Sequence, residues 1–149
     1  MTEIRFYHIQ KKSAEATVFE LAERALTRDH KILIRVRDEA EANRLNDFLW
    51  TYKPESFLPH GTGSDKFADQ QPVLITATGE NPNKADVVFL MPGCETSAID
   101  NFTLVCDILD GRDEDQIAQG RARYRDWKNQ GHNLSYWQQS EDGKWEQKS

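Results

Sequence analysis

The sequence predicts a single three-layer α/β/α domain around a mainly parallel sheet, Rossmann-like in shape but without a nucleotide site. Three observations carry that expectation. Compact apolar runs of strand length recur as EIRFYHI at 3–9, KILIRV at 31–36, PVLIT at 72–76 and ADVVFLM at 85–91. Segments with apolar residues at helical spacing alternate with them, which calls for crossovers onto a parallel sheet covered on both faces. The turn after the first run, QKKSAE, contains no glycine, so the phosphate-cradling fingerprint of dinucleotide-binding folds is missing.

The elements follow in order. Residues 3–9 are rich in β-branched and aromatic side chains and read as a first strand. Ser13 is a suitable N-cap for a helix in which Val18, Leu21, Ala22 and Ala25 repeat at helical spacing. KILIRV is apolar enough for a strand buried on both faces. EAEANRLNDFLW at 39–50 puts Ala42, Leu45 and Leu49 on one helical face, with Phe48 beside them. After the strands at 72–76 and 85–91, LVCDIL at 104–109 fits another strand or the end of a short helix. A last long helix starts near Asp113, where Gln116 completes a capping-box pattern, and stops at Gly131, just after Lys128. Residues 1–149 form one domain on this reading, with QQSEDGKWEQKS at 138–149 expected to be a flexible polar tail.

Composition narrows the function. A chain of 149 residues buries roughly two-thirds of its unfolded surface and needs no covalent staples. No apolar run approaches the roughly 20 residues of a membrane span. The opening MTEIRFYHIQ lacks a secretory pattern, so a cytoplasmic location is expected. With 25 acidic against 19 basic residues the net charge is −6, which argues against whole-surface attraction to nucleic acid. Any anionic partner must be met locally.

Reactive residues form no recognisable constellation. Cys94 and Cys106 have no metal-ligand spacing and are expected to be free thiols, while His8, His30, His60 and His132 are scattered. A Cys94 nucleophile with a histidine base would make a small hydrolase, but PGCETS has no spacing that separates it from a structural thiol. GTGSDK at 61–66 lacks the Gly-Lys-Ser/Thr ending of a phosphate loop, and Asp107, Asp110, Asp113 and Asp115 lack the spacing of a calcium loop. No catalytic residue, cofactor or metal is therefore assigned.

Two stretches stand out instead. In GRARYRDWKNQGH at 120–132, positions 121–128 hold four basic side chains against the single acid Asp126. On a helix, Ile117, Gly120, Tyr124 and Trp127 share an arc facing the sheet, Arg121, Arg125 and Lys128 form a stripe along its edge, and Arg123 points elsewhere. Gly120 costs about 1 kcal/mol relative to Ala inside a helix, which implies a close approach there. Such a stripe suits an acidic peptide with an apolar anchor, and it suits single-stranded nucleic acid as well. In LWTYKPESFLPH at 49–60, Trp50, Tyr52, Phe57 and Leu58 gather at the start of a long connection. They either close the edge of the core or serve as interface anchors.

Taken together, RFYH at 5–8, LW with ESFLPH at 49–60, ADVVFL at 85–90 and RARYRDWKNQGHNL at 121–134 resemble the chi subunit of bacterial DNA polymerase III. The resemblance spans nearly the whole chain and lies in the combination and order of these segments. It implies a non-catalytic clamp-loader accessory protein that bridges the clamp loader, through the psi subunit, to single-stranded-DNA-binding protein. Chi-like proteins bind that protein's acidic C-terminal tail, which ends in an aromatic residue with a free carboxylate. The matching positions here are Arg121, Tyr124 and Arg125, with Lys128 a looser correspondence. A second surface of chi binds psi or, in some organisms, a helicase of the XPD type, and Trp50, Phe57 and Pro59 match its contact positions, with His60 adjoining. DNA would then be met only indirectly. Two other readings stand beside this one: a module that binds single-stranded nucleic acid directly, and a helicase-associated repair adaptor. The polar ending SYWQQSEDGKWEQKS departs from some relatives and puts contacts of the family's last strand in question.

Overall fold

A computed structural model of the chain describes residues 2–10, 12–53, 59–62, 67–78, 80–94, 99–142 and 144–148. The strands are β1 (Glu3–Ile9), β2 (Ile32–Arg35), β3 (Gly61–Thr62), β4 (Val73–Thr76), β5 (Val87–Leu90), β6 (Leu104–Asp110), β7 (Asn133–Gln139) and β8 (Trp145–Gln147). The helices are α1 (Ala14–Thr27), α2 (Glu39–Thr51) and α3 (Glu114–Asn129). All strands join one sheet in the order β3-β4-β2-β5-β6-β1-β7-β8. Every pairing is parallel except that of β7 with β8.

Strand alternation divides the core into two layers. Tyr7, Ile9, Ile32, Ile34, Val87, Phe89 and Ile108 face one way, packing with Val18, Phe19 and Ala22 of α1 and Ala42, Leu45 and Leu49 of α2. Ile4, Phe6, Leu33, Val88, Val105 and Leu109 face the other way and meet Trp127, Ile117 and Tyr124 of α3. The predicted cap at Ser13 forms, its Oγ accepting from Ala16 N–H at 3.1 Å, and α2 is capped by Asp38, which the sequence reading did not name, its Oδ1 accepting from Glu41 N–H at 2.8 Å.

α3 links β6 to β7 across the intervening β1. Asp113 Oδ1 accepts from Asp115 N–H and Gln116 N–H, at 3.0 and 3.3 Å. The capping box is only half made, because the Gln116 side chain accepts from Asp110 N–H at 3.2 Å and so ties the helix to the end of β6. The other end closes as a Schellman turn. Gly131 has φ of 90°, its N–H donates to Lys128 O, and His132 N–H donates to Trp127 O.

One open alternative is settled, and two segments differ from the sequence reading. LVCDIL resolves as a strand, since β6 runs through the sheet between β1 and β5 and its middle residues are buried. Asn133–Gln139, with its mixed polar pattern, is also a strand, because it adds to the edge that β1 offers. Within 138–149, where a flexible tail was expected, Gln138 and Gln139 continue β7 and Trp145–Gln147 pairs back on it. The reason is an aromatic anchor in a polar segment: the Trp145 ring meets Tyr7 edge-on at 5.2 Å.

Gly120 is buried, and a Cβ there would lie 2.6 Å from Leu109 Cδ1 and 2.7 Å from Cδ2. Close seating of the helix on β6 therefore needs a glycine. Gly120→Ala is expected to lower stability by about 1 kcal/mol, since overpacking of roughly 1–3 kcal/mol outweighs the gain in helix propensity. Urea denaturation would measure it, and a stabilised variant would contradict the close seating.

Candidate ligand cleft beside the last helix

The rotation of α3 about its axis is fixed from beneath. Asp107 on β6 is only 2% exposed, and Arg123 meets it in a two-pronged pair, Nε to Oδ2 at 2.8 Å and Nη2 to Oδ1 at 3.1 Å. Burial pushes the Asp107 carboxyl up from its ordinary value, and the guanidinium opposes that shift. Arg123 thus lies off the basic stripe, as the helical spacing predicts, and turns to the interior, which the sequence reading did not foresee. The same rotation turns Arg121, Arg125 and Lys128 outward, and all three are exposed. Among the described residues, none of these three is held in an ion pair.

A cleft of about 520 Å³ opens beside the helix, lined by His8, Arg121, Tyr124, Tyr136 and Gln138. Its construction follows from register. Phe6 pairs with Tyr136 and His8 with Gln138 across the parallel strands β1 and β7, so these side chains project on the face that carries α3. Phe6 sits at the root of an aromatic cluster, its ring centroid 5.5 Å from Tyr124, 5.7 Å from Trp127 and 6.1 Å from Tyr136. Apolar anchoring and positive charge are therefore side by side.

His8 Nδ1 lies 2.7 Å from the Tyr136 hydroxyl. Burial, and next the charge of Arg121, hold His8 below its ordinary value of 6.5, while Asp110 pulls the other way. The imidazole is accordingly neutral at neutral pH. Tyr136 is raised by burial, with Arg121 opposing. Arg121 lines the same cleft as the His8–Tyr136 pair. The chemistry offered is recognition of an acceptor-rich, negatively charged group next to an aromatic floor.

The sequence reading brought Arg121, Tyr124, Arg125 and Lys128 together on α3, and the structure puts them on one helix with Arg121 and Tyr124 lining the cleft. It did not identify His8, Tyr136 or Gln138. Alternation within RFYHI and NLSYWQQ could have placed them on one face, had the second segment been read as a strand.

The second group lies elsewhere. Trp50, near the end of α2, is 47% exposed, and its ring meets His60 at a tilt of 40° with centroids 4.3 Å apart. His60 is 5% exposed and its Nε2–H donates to Asn46 O at 3.2 Å, so it braces Trp50 rather than presenting a surface of its own. Pro59 is half-buried. Phe57 lies outside the described residues. Phe67, at 54%, is a further exposed large apolar residue that the sequence reading did not single out.

Burial pushes the Cys106 thiol up to about 12, which leaves it unreactive, and the Cys94 thiol donates to Val36 O at 3.7 Å. Among the described residues no cluster of three or more His, Cys, Asp or Glu side chains could hold a metal. No helix there is long and apolar enough to cross a membrane.

Comparison with known proteins agrees with the resemblance. Residues 1–135 match the family model described as DNA polymerase III chi subunit, HolC. A DNA polymerase III subunit chi from Pseudomonas aeruginosa is 27% identical over 139 residues, covering 90% of this chain and 94% of that one. One from Escherichia coli is 29% identical over 125 residues, covering 83% and 84%. A probable DNA polymerase III subunit chi from Rickettsia prowazekii is 29% identical over 99 residues, which is 66% of this chain and 60% of the relative's length.

Removing one partner of the buried pair leaves the other charge uncompensated. Arg123→Ala is expected to cost about 3 kcal/mol in denaturant unfolding, whereas Arg121→Ala, whose side chain is exposed, should change stability by less than about 0.5 kcal/mol. Equal costs would contradict the assignment of one arginine to the interior and the other to the surface.

Proposed function

The chain belongs to the chi-subunit family of DNA polymerase III, whose role is that of an accessory subunit in DNA replication, and from this premise we propose that it works as a two-sided bridge. One side, the cleft beside α3, takes the acidic C-terminal tail of single-stranded-DNA-binding protein. The other side, around Trp50, joins the clamp loader through psi or engages an XPD-type helicase. Neither contact needs an active site, cofactor or metal, and the setting is the cytoplasm.

The observation that supports this reading most is the outward stripe of Arg121, Arg125 and Lys128 beside a ring-lined cleft, in a chain of net charge −6. Guanidinium groups take carboxylates in a planar fork, and Tyr124 and Tyr136 supply faces against which an aromatic end residue can pack. The acidic remainder of the surface disfavours a long polyanion, so the charge match is local. A short tail that must be ordered on docking should bind with a dissociation constant on the order of micromolar, and more weakly as salt screens the charges. Direct binding of single-stranded nucleic acid is the rival use of the same residues.

Around Trp50, a half-exposed indole held by a buried ring is an anchor of the type that dominates protein interfaces. Its contribution is separable from the cleft, because it stands on a different helix.

Calorimetry with an acidic tail peptide and, separately, with an oligonucleotide tests both halves. Arg125→Ala is expected to weaken the peptide roughly tenfold, the size of one lost charge-assisted hydrogen bond, and to leave the clamp-loader partner's affinity unchanged. Trp50→Ala should do the reverse. Unaltered peptide affinity in Arg125→Ala would remove the tail from this site, and tighter binding of the oligonucleotide than the peptide would favour the rival.

A further inference from the structure

We propose that Tyr136, oriented by His8, is a recognition residue for the ligand's terminal carboxylate, so that the cleft selects a free chain end over an internal acidic segment. The inference rests on the acidic-tail reading of the same cleft. It assigns to β1 and β7 a polar contact that the cations of α3 do not supply.

The geometry is specific. Tyr136 and Arg121 line the same cleft, one on β7 and one on α3. The Tyr136 ring stacks on Phe6 with an interplanar angle of 18° and meets His8 edge-on at 77°, so its position is set on two sides. His8 is itself seated by Gly111, where a Cβ would fall 2.2 Å from Nε2 and 2.6 Å from Ile9 O. Any side chain at 111 would drive the imidazole from its place.

That seat directs Nδ1 at the tyrosine oxygen, 2.7 Å away. With the proton on Nδ1, His8 donates to the Tyr136 oxygen, and the Tyr136 O–H is released to donate to an acceptor in the cleft. A carboxylate between Arg121 and Tyr136 would then accept from a guanidinium on one side and a phenol on the other. A main-chain amide at the same point would offer one oxygen and no charge, and would lose most of both contacts. Gln138, on the same strand two residues on, lines the same cleft and can serve the chain preceding the end.

The test uses the full chain and two synthetic acidic peptides with the same aromatic end residue, one with a free C-terminal carboxylate and one amidated. The wild type is expected to bind the free acid at least tenfold more tightly than the amide. Tyr136→Phe keeps the ring on Phe6 and is expected to lose about tenfold toward the free acid while binding the amide as the wild type does, since a hydrogen bond to a charged group is removed. His8→Phe should narrow the acid–amide gap by a smaller factor, because the hydroxyl remains but is no longer directed. Equal binding of the acid by wild type and Tyr136→Phe would overturn the assignment. So would an equal loss toward both peptides, which would make the residue a packing element. Failure of the wild type to bind either peptide would overturn the tail reading itself, a separate result.

Discussion

The pairing of Asp107 with Arg123 is the constraint on which the rest of the molecule's surface depends. A carboxylate buried in the middle of a parallel sheet is tolerable only with a counter-charge held close, and Arg123 supplies it from α3 at 2.8 Å. That contact sets which way the helix is turned. Because neighbouring positions on a helix diverge by about 100°, fixing Arg123 downward leaves Arg121 and Arg125 on either side of it facing solvent. Gly120 sets the helix's depth in the same way that the ion pair sets its rotation, by letting it settle against Leu109. The basic stripe is thus a consequence of interior packing as much as of surface composition.

Depth and rotation together define the cleft. α3 packs on the face of the sheet where β1 supplies His8 and β7 supplies Tyr136 and Gln138 to the cleft. Phe6 ties both walls to a common root through its rings. Arg121 brings positive charge to this cleft, and burial, with the Arg121 charge next, holds His8 below its ordinary value. Under the proposed tail binding, recognition there is by preformed shape and charge.

Much of this was legible in the sequence, and the reasons are physical. Helical periodicity and explicit caps at Ser13 and Asp113 marked α1 and α3, and the arc of Ile117, Gly120, Tyr124 and Trp127 correctly named the buried side of the last helix. Buried parallel strands announce themselves as apolar runs, which is why β2, β4 and β5 were evident. β7 was not, because it lies near the sheet's edge and its polar residues carry no periodic apolar signal. Missing it hid Tyr136 and Gln138, and with them the role of His8, whose partners lie 128 residues away in sequence. The Arg123 partner was equally invisible: nothing local distinguishes Asp107 from the three nearby acids that cap or solvate loops. Trp50 was legible as an aromatic at a helix end, but its bracing by His60 is a tertiary fact.

A backbone amide chemical-shift titration of the isotopically labelled chain with an acidic peptide ending in an aromatic residue with a free carboxylate tests the central claim most directly. The account requires the largest shifts along Arg121–Lys128 and at His8 and Tyr136, with the Trp50 and His60 amides unmoved. Shifts centred on Trp50, or spread without focus over the basic residues of the surface, would contradict it.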